Sequence, residues 1–172
     1  AGDFATTPDE YDQVIRAKTA TLFAAATEVG AMAGGADTDG RTALRRYGME
    51  LGRAFQLVDD VLDYRGESGT LGKNTGDDLR EGKMTLPVIL ALAEATAAER
   101  EVIVSALGSD ASDEVALARV LSILIKYRTL DRTITLAESY GAAARNALAP
   151  LPPSEMRDIL TDIVDFTIAR AY

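Results

Sequence analysis

The sequence predicts an all-α fold, a helical bundle built as one domain over residues 1–172. Three observations carry this. Alanine and leucine dominate, and apolar residues recur at helical spacing throughout. Runs of β-branched residues stay short. Helix-opening and helix-closing signals alternate along the chain, with no repeat, low-complexity tract or linker between them.

Thr7-Pro8-Asp9-Glu10 opens the first helix: a threonine cap, proline at the first helical position and glutamate three residues after the cap. Gly34-Gly35 closes it. A second helix begins near Asp37 to Arg41 and continues to about Tyr64. Residues 65–82 hold five glycines (66, 69, 72, 76 and 82) and many polar groups, a loop longer than ordinary connections. A third helix starts near Thr85, with Pro87 in its first turn. Thr96-Ala97-Ala98-Glu99 is a second capping box, opening a short helix that ends near Gly108. Ser112 or Asp113 opens the next, which reaches about Tyr127. Residues 129–149 are helical and are closed by Pro150, Pro152 and Pro153, and Ser154 caps a final helix running almost to Tyr172.

Composition narrows the chemistry. The chain has no cysteine, hence no disulfide, thiolate nucleophile or zinc–sulfur site, and no histidine, the commonest general base and transition-metal ligand. Ser-His-Asp and Cys-His hydrolases are excluded. A bound metal must take oxygen ligands, which points to a hard cation, Mg²⁺ first. The formal net charge of −9 gives a field that repels nucleic acid. Apolar runs such as Leu86 to Ala93 fall far short of the roughly 20 residues that span a bilayer, and no polybasic segment suggests a membrane anchor. With no signal-peptide pattern at the start, a cytoplasmic location is the expectation.

The second helix carries the most specific pattern, Gly52-Arg53-Ala54-Phe55-Gln56-Leu57-Val58-Asp59-Asp60-Val61-Leu62-Asp63. Leu51, Phe55, Val58 and Leu62 form one apolar stripe, and Gly52, Gln56, Asp59 and Asp63 follow the same spacing about 100° around the helix. Leu57 and Val61 add further apolar surface, so the acids must lie at the edge of a core or cavity. Unpaired carboxylates there are costly, and a divalent cation relieves them. A solvated acidic patch at a helix end is the competing account. The apolar surroundings, the glutamine one turn upstream and the following Gly72-Lys73 and Glu81-Gly82-Lys83 weigh against it, as does the macrodipole, which disfavours acids near a helix carboxyl end. Lysines in a glycine-rich loop, where backbone can approach closely, suit a phosphate. Lys18-Thr19 is weaker alone, because a lysine in mid-helix is usually solvated. Asp77-Asp78 after Gly76 reads best as a turn and cap pair, with outer support of a metal as the alternative. Asp158, Asp162 and Asp165 read as a solvated face.

At these residues the chain resembles the trans-isoprenyl diphosphate synthases, the polyprenyl synthetase family. Phe55-Gln-x-x-Asp59-Asp60-x-x-Asp63 is similar to the family's second aspartate-rich motif. Gly72-Lys73, Gly76-Asp77-Asp78-Leu79 and Glu81-Gly82-Lys83-x-Thr85-Leu86-Pro87 match the segment after it, and Lys18-Thr19-Ala20 with Leu22-Phe23 resembles the Lys-Thr element one helix earlier. The resemblance runs from about Asp9 to the last helix and is nearest to long-chain synthases of the octaprenyl and decaprenyl type. It implies that Asp59 ligates Mg²⁺, with Asp60 and Asp63 as further ligands or acceptors for its waters. It implies that Lys18, Lys73 and Lys83 hold an allylic diphosphate, assisted by Thr19 and Gln56, while Phe55 packs near the prenyl chains. The implied reaction is head-to-tail 1'-4 condensation with isopentenyl diphosphate, which needs neither histidine nor cysteine, in an isoprenoid-synthase-type homodimer.

The family's first aspartate-rich motif and its basic Gly-Gly-Lys-Arg-like element do not occur in these residues. The chain therefore reads as the carboxyl-terminal half of the pattern, expected to need the amino-terminal half or a complementing chain for turnover. Competing functions are a regulatory, non-catalytic subunit that keeps the diphosphate site, a class I terpene cyclase and a purely structural bundle. The intact Asp59-Asp60-Asp63 set argues against the first, and the Gly-Lys and Glu-Gly-Lys elements argue against the other two.

Overall fold

A computed structural model of the chain describes residues 4–65, 75–108 and 114–172. Those residues are helical, with no strand among them. Gly72, Lys73 and the helix opener at Ser112 or Asp113 lie outside the described residues.

The helices begin and end where local chemistry dictates. α1 (Pro8–Ile15) opens on a reciprocal box: the Glu10 N–H donates to Thr7 Oγ1 at 3.3 Å and the Thr7 N–H donates to Glu10 Oε2 at 2.8 Å. The helix does not run on regularly. Arg16–Ala20 form a π-helical turn, in which the Thr21 N–H reaches back five residues to the Arg16 carbonyl, before α2 (Thr21–Ala33) resumes. α2 ends in a Schellman motif. Gly35 takes φ +73, the Ala36 N–H donates to the Ala31 carbonyl at 2.9 Å, and the Gly35 N–H donates to that of Met32 at 3.1 Å.

α3 (Thr38–Arg65) is capped by Asp37, whose Oδ1 accepts from the Gly40 N–H at 2.8 Å. The expected loop over 65–82 contains a short helix, α4 (Asp77–Arg80). α5 (Leu86–Glu94) follows, then α6 (Ala97–Ala106), opened by the Thr96–Glu99 box. α7 (Glu114–Lys126), α8 (Thr129–Ala147) and α9 (Glu155–Ala169, capped by Ser154) complete the chain. No helix among the described residues is long and apolar enough to cross a membrane.

The described residues group into two compact units: Ala1–Tyr11 with Asp59–Thr133, and Asp12–Val58 with Ile134–Tyr172. The chain passes from one to the other inside α1, α3 and α8, so every boundary lies within a helix and no linker composition marks it. The core of the first unit includes Leu79, Leu86, Val88, Ile89, Leu92, Ile103, Val120 and Leu124. That of the second is built on Tyr47, Leu51, Ala144, Leu148 and Val164, with Phe23, Leu44 and Leu160 against it. The Tyr47 hydroxyl donates to the Leu160 carbonyl at 2.8 Å, and burial pushes its pKa up to about 12.

The covered side of α3 is not quite the expected stripe. Leu51, Ala54, Leu57, Val58, Val61 and Tyr64 are buried, whereas Phe55 and Leu62 are only half-buried. The half-buried face carries Phe55, Gln56, Asp59, Leu62 and Asp63, while Asp60 turns to the buried face and is 2% exposed.

Candidate functional site

In the second unit the Lys-Thr element sits on the π turn. Lys18 and Thr19 fall within Arg16–Ala20, and the turn is further tied by the Thr21 hydroxyl, which donates to the Arg16 carbonyl at 2.8 Å. α3 meets this turn at close range because Gly52 carries no side chain: a Cβ there would lie 2.6 Å from Ala20 Cα. One turn earlier, a Cβ on Gly48 would meet Thr27 Oγ1 at 2.3 Å and the Phe23 carbonyl oxygen at 2.5 Å. Thr27 stitches the two helices by donating to the Leu44 carbonyl at 2.7 Å.

This approach brings the Thr19 hydroxyl to Gln56 Oε1 at 2.9 Å, joining two motif elements 37 residues apart. It also sets Phe23 and Phe55 at 5.4 Å between ring centroids, a tilted aromatic pair. The Arg170 guanidinium lies 5.3 Å from the Phe55 centroid. Lys18 is exposed and, among the described residues, has no carboxylate partner. Nearby, Arg53 donates to Asp12 Oδ1 at 2.7 Å, to Glu50 at 3.0 Å and to the Tyr140 hydroxyl at 2.6 Å, fastening α1 and α8 to α3. Sequence reasoning missed this cluster and the π turn. The buried positions Tyr11, Ile15, Ala20 and Ala24 step by four, five and four, which an unbroken α-helix does not do, but the alanines at and around them leave that step unmarked in the sequence.

In the first unit the three aspartates of the motif separate. Asp60 accepts a buried hydrogen bond from the Tyr11 hydroxyl. Asp59 and Asp63 stay half-buried. The Asp63 main-chain carbonyl accepts from the Gly76 N–H at 2.7 Å, and its Oδ2 accepts from the Asp78 N–H at 3.1 Å. Gly76, at φ +84, makes the sharp entry to α4. α4 then closes on the same glycine device that ends α2. Gly82 takes φ +71, its N–H donates to the Leu79 carbonyl at 3.0 Å, and the Lys83 N–H donates to that of Asp78 at 2.8 Å. The glycine of Glu81-Gly82-Lys83 is therefore a helix stop that turns Lys83 back along α4. The Lys83 ammonium bridges Asp78 Oδ1 at 2.9 Å and Glu81 Oε2 at 2.7 Å, and the Glu81 and then the Asp78 carboxylate hold it above its ordinary range.

Burial, and after it the Asp78 carboxylate, push Asp63 up to about 6. A carboxyl group whose pKa is raised on folding adds stability below its unfolded value near 4, and that stability is lost as pH rises through about 6. Asp63→Asn should therefore gain stability relative to the parent chain as pH rises from 4 to 7. Urea midpoints across that range will read it, and a parallel pH dependence of the two chains would contradict it.

The donor chemistry fits a hard cation held in part by the protein. Among the described residues no three acidic side chains converge enough to hold a metal by themselves. Mg²⁺ is usually bound through one or two carboxylates, with waters and substrate phosphates completing its shell. Asp59 and Asp63 are half-buried oxygen donors, and Asp63 carries charge that burial and Asp78 disfavour. Asp60 already has the Tyr11 hydroxyl.

A family profile described as polyprenyl synthetase matches residues 1–124, more than half of the chain and the whole of the motif region. The chain belongs to the polyprenyl synthetase family. It is 39% identical over 166 residues to a short chain isoprenyl diphosphate synthase of Methanothermobacter thermautotrophicus, covering 96% of this chain and 50% of that one. It is 38% identical over 167 residues to an octaprenyl diphosphate synthase of Haemophilus influenzae, covering 97% and 50%. The crystal structure of a decaprenyl diphosphate synthase from Rhodobacter capsulatus superposes with a TM-score of 0.89 at 46% identity, over 99% of this chain and 52% of that one. The chain thus spans about half the length of the curated relatives it matches. The all-α fold expected from the sequence is the fold of this polyprenyl synthetase neighbour.

Proposed function

We propose that this polyprenyl synthetase chain carries the allylic-diphosphate side of a trans-prenyltransferase, which condenses an allylic diphosphate head-to-tail with isopentenyl diphosphate to give a trans-polyprenyl diphosphate. The observation that carries the reading is the Thr19–Gln56 hydrogen bond, which draws the Lys-Thr element onto the helix of the aspartate-rich motif. The names of the matched relatives, all isoprenyl diphosphate synthases, support the reaction class.

In this reading Asp59 and Asp63 hold Mg²⁺, which supplies positive charge to the departing diphosphate. Lys18, Lys73 and Lys83 bind phosphate oxygens, with Thr19 and Gln56 fixing the geometry around Lys18. These charges favour cleavage of the allylic carbon–oxygen bond, because negative charge gathers on the diphosphate as that bond opens. The isopentenyl double bond attacks the allylic carbon, the new carbon–carbon bond forms, and a proton passes to the diphosphate. Phe55, paired with Phe23, offers an apolar wall to the prenyl chain. Asp60 supports the end of α3 through Tyr11. In this reading the facing aspartate-rich motif and the isopentenyl diphosphate site are supplied by an amino-terminal half, in which case the assembled enzyme is a homodimer, or by a complementing chain.

Titration with farnesyl diphosphate should show Mg²⁺-dependent binding that Lys18→Ala weakens by about tenfold or more, the scale of one lost charge-assisted hydrogen bond. Binding indifferent to both Mg²⁺ and Lys18 would overturn the assignment.

A further inference from the structure

Asp77 and Asp78 follow the aspartate-rich helix without a role in the chemistry above, and α4 shows that they differ. The Asp77 side chain is paired with Arg80 at 3.0 Å on its own short helix, while its N–H, like that of Asp78, also bonds Asp63. Asp78 instead makes three contacts outward from one residue. Its N–H donates to Asp63 Oδ2 at 3.1 Å, its Oδ1 accepts from the Lys83 ammonium at 2.9 Å, and its carbonyl accepts from the Lys83 N–H at 2.8 Å.

We propose that Asp78 is a positioning residue: it fixes the metal-side carboxylate of Asp63 and the phosphate-side ammonium of Lys83 relative to each other before substrate arrives. The proposal rests on the diphosphate role assigned to Lys83. A lysine side chain is long and loses much rotamer freedom when held, so a lysine fixed in advance binds a phosphate at lower entropic cost. Asp78 can hold it because its own side chain is only 18% exposed, whereas the second partner, Glu81, is 60% exposed and its pairing is screened. An ammonium group has three donors. Asp78 and Glu81 take two of them, and the third remains for a phosphate oxygen at a half-exposed position (Lys83 is 47% exposed). Asp78 therefore orients Lys83 without neutralising its capacity to bind. Its N–H, together with that of Asp77, holds Asp63 at the same end of α3.

Asp78→Asn tests this, because it keeps the main-chain contacts to Asp63 and Lys83 and removes only the charge that holds the ammonium. The probes are Mg²⁺ with inorganic diphosphate. The readout is the rate at which an amine-reactive ester labels Lys83, with Lys18 followed in the same sample by mass spectrometry. Asp78→Asn should speed labelling of Lys83 several-fold and raise by about tenfold the diphosphate concentration that protects it. Protection of Lys18 should change less, and Asp78→Glu should restore part of the loss. Glu81→Gln should shift protection less than Asp78→Asn. If Asp78→Asn leaves protection of Lys83 unchanged or improves it while Lys18 is still protected, Asp78 is a bystander or a competitor for the lysine, and this proposal fails alone. If diphosphate protects neither lysine in the parent chain, the diphosphate site fails and the proposal falls with it.

Discussion

Gly52→Val should prevent the second unit from packing, and Gly52→Ala should already lower stability markedly. The cause is geometric. The added Cβ would sit 2.6 Å from Ala20 Cα and 3.2 Å from the Cβ atoms of Ala20 and Phe23, so the obstruction includes main chain as well as side chain. No rotamer change relieves it, and α3 must lift off the π turn. Overpacking costs about 1–3 kcal/mol where neighbours can yield, and a main-chain obstruction belongs at or above the top of that range. For a chain of this length that corresponds to a fall in Tm of roughly 6–12 °C or outright failure to fold. Gly30 is the internal control: nothing lies within 4 Å of its Cβ position, and it sits within α2. Gly30→Ala should stabilise by about 0.5–1 kcal/mol, through helix propensity alone. Thermal melts of the two alanine variants should therefore move in opposite directions. Equal shifts would mean that the α3 approach at Gly52 is not as tight as described.

The second large effect separates two neighbouring aspartates. Asp59→Ala should abolish Mg²⁺-dependent binding of an allylic diphosphate while leaving stability unchanged or slightly higher. Asp59 is half-buried near the carboxyl end of α3, where a negative charge opposes the helix dipole and adds to that of Asp63. Asp60→Ala should do the reverse, costing about 1–3 kcal/mol, because it removes a buried hydrogen bond that the Tyr11 hydroxyl donates. Any binding retained by the folded fraction of Asp60→Ala should stay close to that of the parent. Urea unfolding and calorimetric titration of both variants decide the matter. Loss of binding in Asp60→Ala at full stability would put Asp60 among the metal ligands and remove it from the support of α3.

These contrasts mark what the sequence could and could not reveal. The openings at Thr7, Thr96 and Ser154 were legible because a cap is made by residues three apart, as their hydrogen bonds now show. The aspartate-rich helix and its lysines were legible as a pattern of residue types. The burial of Asp60 against Tyr11 beside a half-buried Asp59 was not, because it depends on a partner 49 residues away and on which side of α3 its neighbours cover. The π turn was hidden for a related reason. It differs from a regular turn by one residue of hydrogen-bond register, and alanines at the covered positions give almost no contrast with those around them. Asp77 and Asp78 read in sequence as a turn and cap pair, whereas they lie in the short helix α4 with Gly76 at its N-cap, and the bond from Asp78 to Asp63 joins residues 15 apart that no local rule connects.

The π turn also ties chemistry to chain length. Tyr11 and Ile15 keep their phase with one another, Ala20 and Ala24 keep theirs, and the extra residue between the two pairs reconciles them. Lys18 and Thr19 are displayed on that surplus residue's arc. A single deletion there would restore an ordinary α-helix while rotating Thr19 away from Gln56, so this segment is constrained in length as strictly as in composition.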